Sequence, residues 1–214
     1  MEFSTAKNLG LRGSIVAIIG ILLSIIPALH SILLFVIPAL SFLGLILMLL
    51  GVILVLVALR GLSEVYGDKS IFRNALRATI AIILSWILFF VFPVTALLGL
   101  AGAMAGEQRA TGVLGASAIA PILVVVAVAV SAILWYRALR ALSARSGVGM
   151  FRWAAIFYAI SAVIFVFGLL LTLAIIGIFI VLIAGVVNLA SFILLALGFS
   201  SLKPPVTQAP QSGV

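Results

Sequence analysis

No charged side chain stands in the middle of any of six long apolar runs in this chain, the charges falling at their ends, and that constrains its fold more than any other feature. A helix of about 20 mainly apolar residues crosses the roughly 30 Å hydrocarbon layer of a bilayer. Runs of that kind lie near Leu9 to Leu29, Ala39 to Leu59, Ala75 to Leu98, Ile119 to Tyr136, Trp153 to Ile176 and Ile178 to Ser200. Charged residues make up 7% of the chain and hydrophobic ones 66%, whereas a soluble domain carries about 25% charged residues. So few polar groups cannot coat a water-facing surface, and hydrocarbon must serve as the solvent. There every backbone N–H and C=O has to be paired within the protein, which a helix does by itself. The expected fold is all-α, an integral membrane bundle of six transmembrane helices.

The prolines mark the ends and bends of these spans. Pro38 and Pro121 stand near the starts of spans two and four, where a missing N–H is tolerated, and Pro93 is expected to kink span three. Pro27 closes or kinks span one, and His30 to Ile37 either dips into the interface or extends span two. Spans five and six are separated by little more than Ile176-Gly177-Ile178, so Gly177 is expected to form their hinge. The first apolar run follows Lys7 and Arg12 as in a signal peptide, but no small-residue cleavage site follows it, and it reads as a retained span. The transmembrane domain is therefore expected over 1–202, with hairpins at about 7–63, 72–143 and 151–201 and a disordered tail at 203–214.

The net charge of +8 does not mark a nucleic-acid-binding protein, because the twelve Lys and Arg residues sit in short clusters between apolar runs. Eleven of them fall on one side of the membrane, and Arg109 stands alone on the other. By the positive-inside rule the eleven face the cytoplasm and so do both termini, in a cell membrane. An even number of spans requires the same agreement. With no cysteine, thiol catalysis and Cys-ligated metals are excluded.

The only polar text of any length occurs twice. Ala58 to Ala75 and Ala138 to Ala154 share nine of seventeen aligned residues once a single deletion is allowed, including Ala-Leu-Arg, a following Leu-Ser, a glycine and Phe-Arg. Spans two, four and six finish in Ala58-Leu59, Ala138-Leu139 and Ala196-Leu197, with Ser63, Ser143 and Ser201 at the same offset. The spacing predicts three αα-hairpins in parallel orientation. Within the joints, Ser63 or Ser143 is expected to cap a helix, Gly67 or Gly147 to end one, and Phe72 or Phe151 to re-enter the membrane.

The run from Leu62 through Ser63-Glu64-Val65-Tyr66-Gly67-Asp68-Lys69-Ser70 to Leu76 resembles the signature of an uncharacterised family of small polytopic membrane proteins, domain of unknown function 996. That resemblance implies a multi-pass membrane protein of a mainly archaeal kind over most of the chain except the tail. It implies no activity, and it carries no catalytic or binding residues to this sequence.

Asn188 is the strongly polar side chain in the middle of a span. It stands on a stripe with Gly177, Ala184, Ser191 and Gly198, and span two has a similar stripe in Gly44, Gly51 and Ala58. Small residues let helix backbones approach, and an amide can hydrogen-bond across the contact. Gly44, Gly51, Ala184, Asn188 and Ser191 are thus candidates for helix packing, or for lining a solute path together with Ser85, Thr95 and Ser131. Arg73, Arg77, Arg137, Arg140 and Arg145 serve as orientation signals or as contacts for anionic lipid head groups. His30 lacks the partners a metal site requires, and Glu2, Glu64, Asp68 and Glu107 all lie outside the spans.

No catalytic constellation is expected. Gly61-Leu-Ser63-Glu lacks the second glycine of a nucleophile elbow. Asp68 is the sole aspartate, so Tyr66-Gly67-Asp68 cannot supply a two-carboxylate pair, and His-Glu-x-x-His is absent. No cofactor or metal is expected. The leading expectation is a non-catalytic membrane component that contacts lipid and packs with itself or a membrane protein partner. The alternative is a small-solute channel or facilitator.

Overall fold

The computed structural model describes residues 1–29, 36–104, 110–171 and 176–204. Among them are six helices and no strand: α1 (Phe3–Leu29), α2 (Val36–Val65), α3 (Lys69–Met104), α4 (Ala110–Ser146), α5 (Met150–Leu170) and α6 (Ile176–Ser200). Each is long and apolar enough to cross a membrane. The outer surface is the lipid face, with Phe42, Ile80, Ile122, Val163, Phe179 and Val186 all exposed. The chain is an integral membrane helical bundle.

The helices run several residues past the apolar cores that define the spans, because the polar ends of α2, α3 and α4 remain helical. Pro38 lies in the first turn of α2, whereas Pro121 lies inside α4 and α3 continues through Pro93. The expected hinge at Gly177 is corrected: α5 ends at Leu170, and Gly177 is a buried position in the first turn of α6. The break between the two helices falls before it. The alternatives for His30 to Ile37 and the tail beyond Pro204 rest on residues outside those described, apart from Val36 and Ile37, which begin α2.

The most extensive pairings are α1 with α2, α3 with α4 and α5 with α6. α6 also packs on α1 and α4 on α5, while α2 meets α3 most thinly, so the helices close into a ring of six. With neighbouring axes 8–10 Å apart, a regular ring of six holds every axis about that far from its centre. Side chains must therefore fill a slot one helix wide.

At the arginine-bearing end they do. Leu59, Leu62, Ile71, Leu139, Leu142, Phe151 and Phe199 are fully buried in one cluster, and the rings of Phe151 and Phe199 meet edge to face at 5.3 Å. Ile71, and not Phe72, takes the buried place at the start of α3. On α6 the buried positions toward this end are Leu195, Ala196, Gly198, Phe199 and the following Leu202, and Leu195, Gly198, Phe199 and Leu202 repeat the spacing at which α2 buries Val55, Ala58, Leu59 and Leu62 and α4 buries Trp135, Ala138, Leu139 and Leu142. The match of Ala196-Leu197 to Ala58-Leu59 is therefore two residues out of register. Two residues are about 200° around a helix, and Leu197 accordingly stands 45% exposed while Phe199 is at 0%.

Both joints end their first helix on a glycine in the left-handed region, Gly67 at φ +67° and Gly147 at φ +71°. After α2, Asp68 N–H donates to Ser63 O at 3.0 Å and Gly67 N–H to Glu64 O at 3.3 Å, the six-to-one and five-to-two pattern that satisfies the last carbonyls. After α4, Gly147 N–H donates to Ser143 O at 3.0 Å.

Candidate functional site: a blind central cavity

Beyond the packed end the slot stays open. A partly open cavity of about 340 Å³ lies there. All six helices contribute to its wall, from Ile21 and Ser24 on α1 and Met48 on α2 to Gly185 and Asn188 on α6. The wall is mainly aliphatic and aromatic, and it contains no Asp, Glu, Lys or Arg among the described residues. Its polar groups are Ser24, Ser85, Ser131, Tyr158, Ser161 and Asn188. A cavity of this size falls at the lower end of the range typical of small-molecule sites.

Most of these polar groups are already satisfied. Ser24 Oγ donates to Gly20 O at 2.9 Å, Ser85 Oγ to Ile82 O at 2.7 Å, and Ser161 Oγ reaches across from α5 to Ala184 O on α6 at 2.8 Å. Ser131 and Tyr158 share a hydrogen bond between their hydroxyls at 3.2 Å, joining α4 to α5, and the Tyr158 ring meets Trp135 nearly edge-on at 6.3 Å. Asn188 differs: its Oδ1 is buried without a hydrogen-bond partner. Asn188, Ser131 and Tyr158 also line a second, smaller void of about 20 Å³ with Met48, Thr79 and Trp135. That is room for about one water-sized group. Beneath it begins the solid end of the bundle.

The residues singled out from sequence separate into three groups. Asn188, Ser85 and Ser131 come together at the cavity, and Ala184 is in its wall with its carbonyl held by Ser161. Ser191 turns away and donates to Ala154 O on α5 at 2.8 Å. Gly44 and Gly51 form the α1–α2 seam: a Cβ on Gly51 would lie 2.6 Å from Gly13 O, and one on Gly44 would lie 2.7 Å from Gly20 O. The side chain of Thr95 lies outside those described. Tyr158 and Ser161 were not singled out from sequence, although their three-residue spacing puts two hydroxyl-bearing side chains on one helix face in an otherwise apolar span.

Arg73, Arg77, Arg137 and Arg140 are exposed at the packed end. Arg145 is engaged, its Nε lying 3.3 Å from Asp68 Oδ2. Asp68 caps α3, accepting from the Ser70 hydroxyl at 2.6 Å and the Ser70 N–H at 3.0 Å. The Ser70 hydroxyl, partly opposed by burial and helped by the Ser70 amide and Arg145, holds the Asp68 carboxyl below its ordinary value. Lys7 Nζ donates to Leu202 O at 2.9 Å and ties α1 to the chain leaving α6. No cluster of three His, Cys, Asp or Glu residues occurs among the described residues.

A family described as a protein of unknown function, DUF996, matches residues 40–186, which span both polar joints and the helices between and beside them. The chain belongs to the DUF996 family. The match leaves out α1 and the half of α6 that carries Asn188 and Ser191. No curated protein and no solved structure matches this DUF996 chain.

Proposed function

We propose that this DUF996 protein is a non-catalytic cell-membrane component that takes up a small, mainly apolar molecule in its central cavity. In this reading three parallel hairpin repeats form the ring, and both termini face the cytoplasm. The observation that carries it is the 340 Å³ cavity framed by all six helices above a solid packed end. A cavity closed at one end suits a binding or facilitating protein that changes shape to release its cargo. It does not suit a static channel.

Assembly through small-residue stripes has less support, because Gly44 and Gly51 lie against α1 and Ser191 against α5 within the same chain. The exposed arginines Arg73, Arg77, Arg137 and Arg140 would rest among anionic lipid head groups at the cytoplasmic surface.

Bromoalkane quenching of tryptophan fluorescence tests the cavity reading. Trp86 lines the cavity and Trp135 the void beneath it, whereas Trp153 is exposed to lipid. In a Trp153→Phe protein reconstituted in vesicles, 1-bromodecane is expected to quench saturably, and Ala162→Phe, which adds a ring to the cavity wall, is expected to remove the saturable part. Quenching that rises linearly with bromodecane and ignores Ala162→Phe would sink the proposal.

A further inference from the structure

The cavity and the small void beneath it differ in size and share three polar lining residues, and together they define a shape for the occupant. The upper space is broad and apolar. The lower space has room for about one water-sized group; its wall is mostly apolar too, with Asn188, Ser131 and Tyr158 among the residues that line it. Asn188, which lines both spaces, buries its acceptor Oδ1 without a partner. Such a group is costly to leave unsatisfied in apolar surroundings, and a ligand donor that reaches it gains that cost back.

The hydroxyl pair supplies the complementary function. Ser131 and Tyr158 share one hydrogen bond, in which one hydroxyl donates to the other. The accepting hydroxyl keeps its own hydrogen, so the pair has a donor to offer. A group that both donates one hydrogen and accepts one therefore fits the floor. Among the described residues no ionisable side chain other than the tyrosine lines either space, so a charged head would be buried there without a counter-charge.

We infer that the cavity binds an uncharged amphiphile ending in a single hydroxyl, of the long-chain alcohol class. Its chain fills the upper space, and its hydroxyl donates to Asn188 Oδ1 and accepts from the Ser131–Tyr158 pair. The inference rests on the cavity reading above and adds the head-group chemistry.

The test compares three probes of equal chain length in the Trp153→Phe protein: 10-bromo-1-decanol, its methyl ether, and 1-bromodecane, each expressed as mole fraction in the membrane. The alcohol is expected to reach half-quenching at a concentration at least about tenfold lower than either other probe. The ether keeps the oxygen and lacks the donor, so it is expected to match the alkane. Asn188→Met, which places on α6 the side chain that Met48 already contributes to the same cavity, is expected to cut the alcohol's advantage below about twofold and leave the alkane's binding unchanged.

Equal half-quenching by alcohol, ether and alkane would overturn the inference and leave the cavity reading standing. An alcohol advantage that survives Asn188→Met would also overturn it. Saturable quenching by none of the three would remove both. The ether comparison needs no substitution, so the inference stays testable even where Asn188→Met fails to fold.

Discussion

Replacing Gly51 with alanine probes the seam on which the first hairpin depends. A Cβ at position 51 would lie 2.6 Å from Gly13 O, against backbone that no rotamer change can move aside. Ordinary contact begins at 3.4 Å and the Ala17 backbone nitrogen lies closer still, so the two helices must part by at least about 0.8 Å at that level. A gap of 0.5–1 Å forfeits about a quarter to a half of each van der Waals well. The same seam carries Gly13, Gly20 and Gly44, so the loss extends along the contact.

Overpacking of this kind costs about 1–3 kcal/mol, from which the better helix propensity of alanine returns up to about 1 kcal/mol. A net loss of about 1–2 kcal/mol is expected. Gly149→Ala is the control, because a Cβ there meets nothing within 4 Å. Equilibrium unfolding in mixed micelles, followed by far-UV circular dichroism, measures both variants. A Gly51→Ala protein within about 0.5 kcal/mol of the parent would refute the close-approach argument.

Three further expectations concern the packed end. Phe199→Ala removes a fully buried ring that packs on Phe151 and over Gly10; a loss of about 3 kcal/mol is expected in the same unfolding assay, at the low end for such cavities because lipid already weakens the transfer part. Lys7→Met deletes the bond to Leu202 O and is expected to cost about 1 kcal/mol and loosen α6 from α1, read as faster amide exchange near residues 197–202. The Asp68 carboxyl is held below its ordinary value when folded, so its contribution is complete above the unfolded value of 3.8 and is lost as pH falls through the folded one. Asp68→Asn keeps a capping side chain and is expected to be nearly neutral at pH 7 while flattening the acid limb of the stability profile; an unchanged acid limb would rule Asp68 out as a contributor.

The membrane architecture was legible because it follows from where charge is absent, and unbroken apolar runs leave helices as the simplest solution. The glycine ends of the joints were legible too, since Gly67 and Gly147 stand where a helix must stop and reverse. Register on α6 was not. Ala196-Leu197 looks more like Ala58-Leu59 than Gly198-Phe199 does, yet the helical period buries Phe199 and turns Leu197 to lipid.

The hinge between α5 and α6 was misplaced for a related reason. A glycine in an apolar run signals close packing as readily as a turn, and Gly177 is a buried helical position. Asp68 and Lys7 were read for their charge alone, and their capping of α3 and of the chain after α6 depends on which ends lie side by side. Of the cavity, Asn188, Ser85 and Ser131 were legible as candidates to line a path, but its enclosure was not, because that arises from closure of the ring, a property of how helices are arranged and not of any one of them. Asn188 stood out by its polarity, but Tyr158 and Ser161 became significant only once they shared a wall with it.

The central claim is that a mainly apolar molecule enters the ring, and photolabelling tests it most directly. A diazirine-bearing decanol irradiated with the reconstituted protein, followed by peptide mapping, is expected to mark the cavity wall at Tyr158, Ala162, Phe165 and Gly185, with labelling competed by unlabelled decanol. Adducts confined to lipid-facing side chains such as Ile160, Val163, Phe167 and Val186, and insensitive to competition, would contradict it.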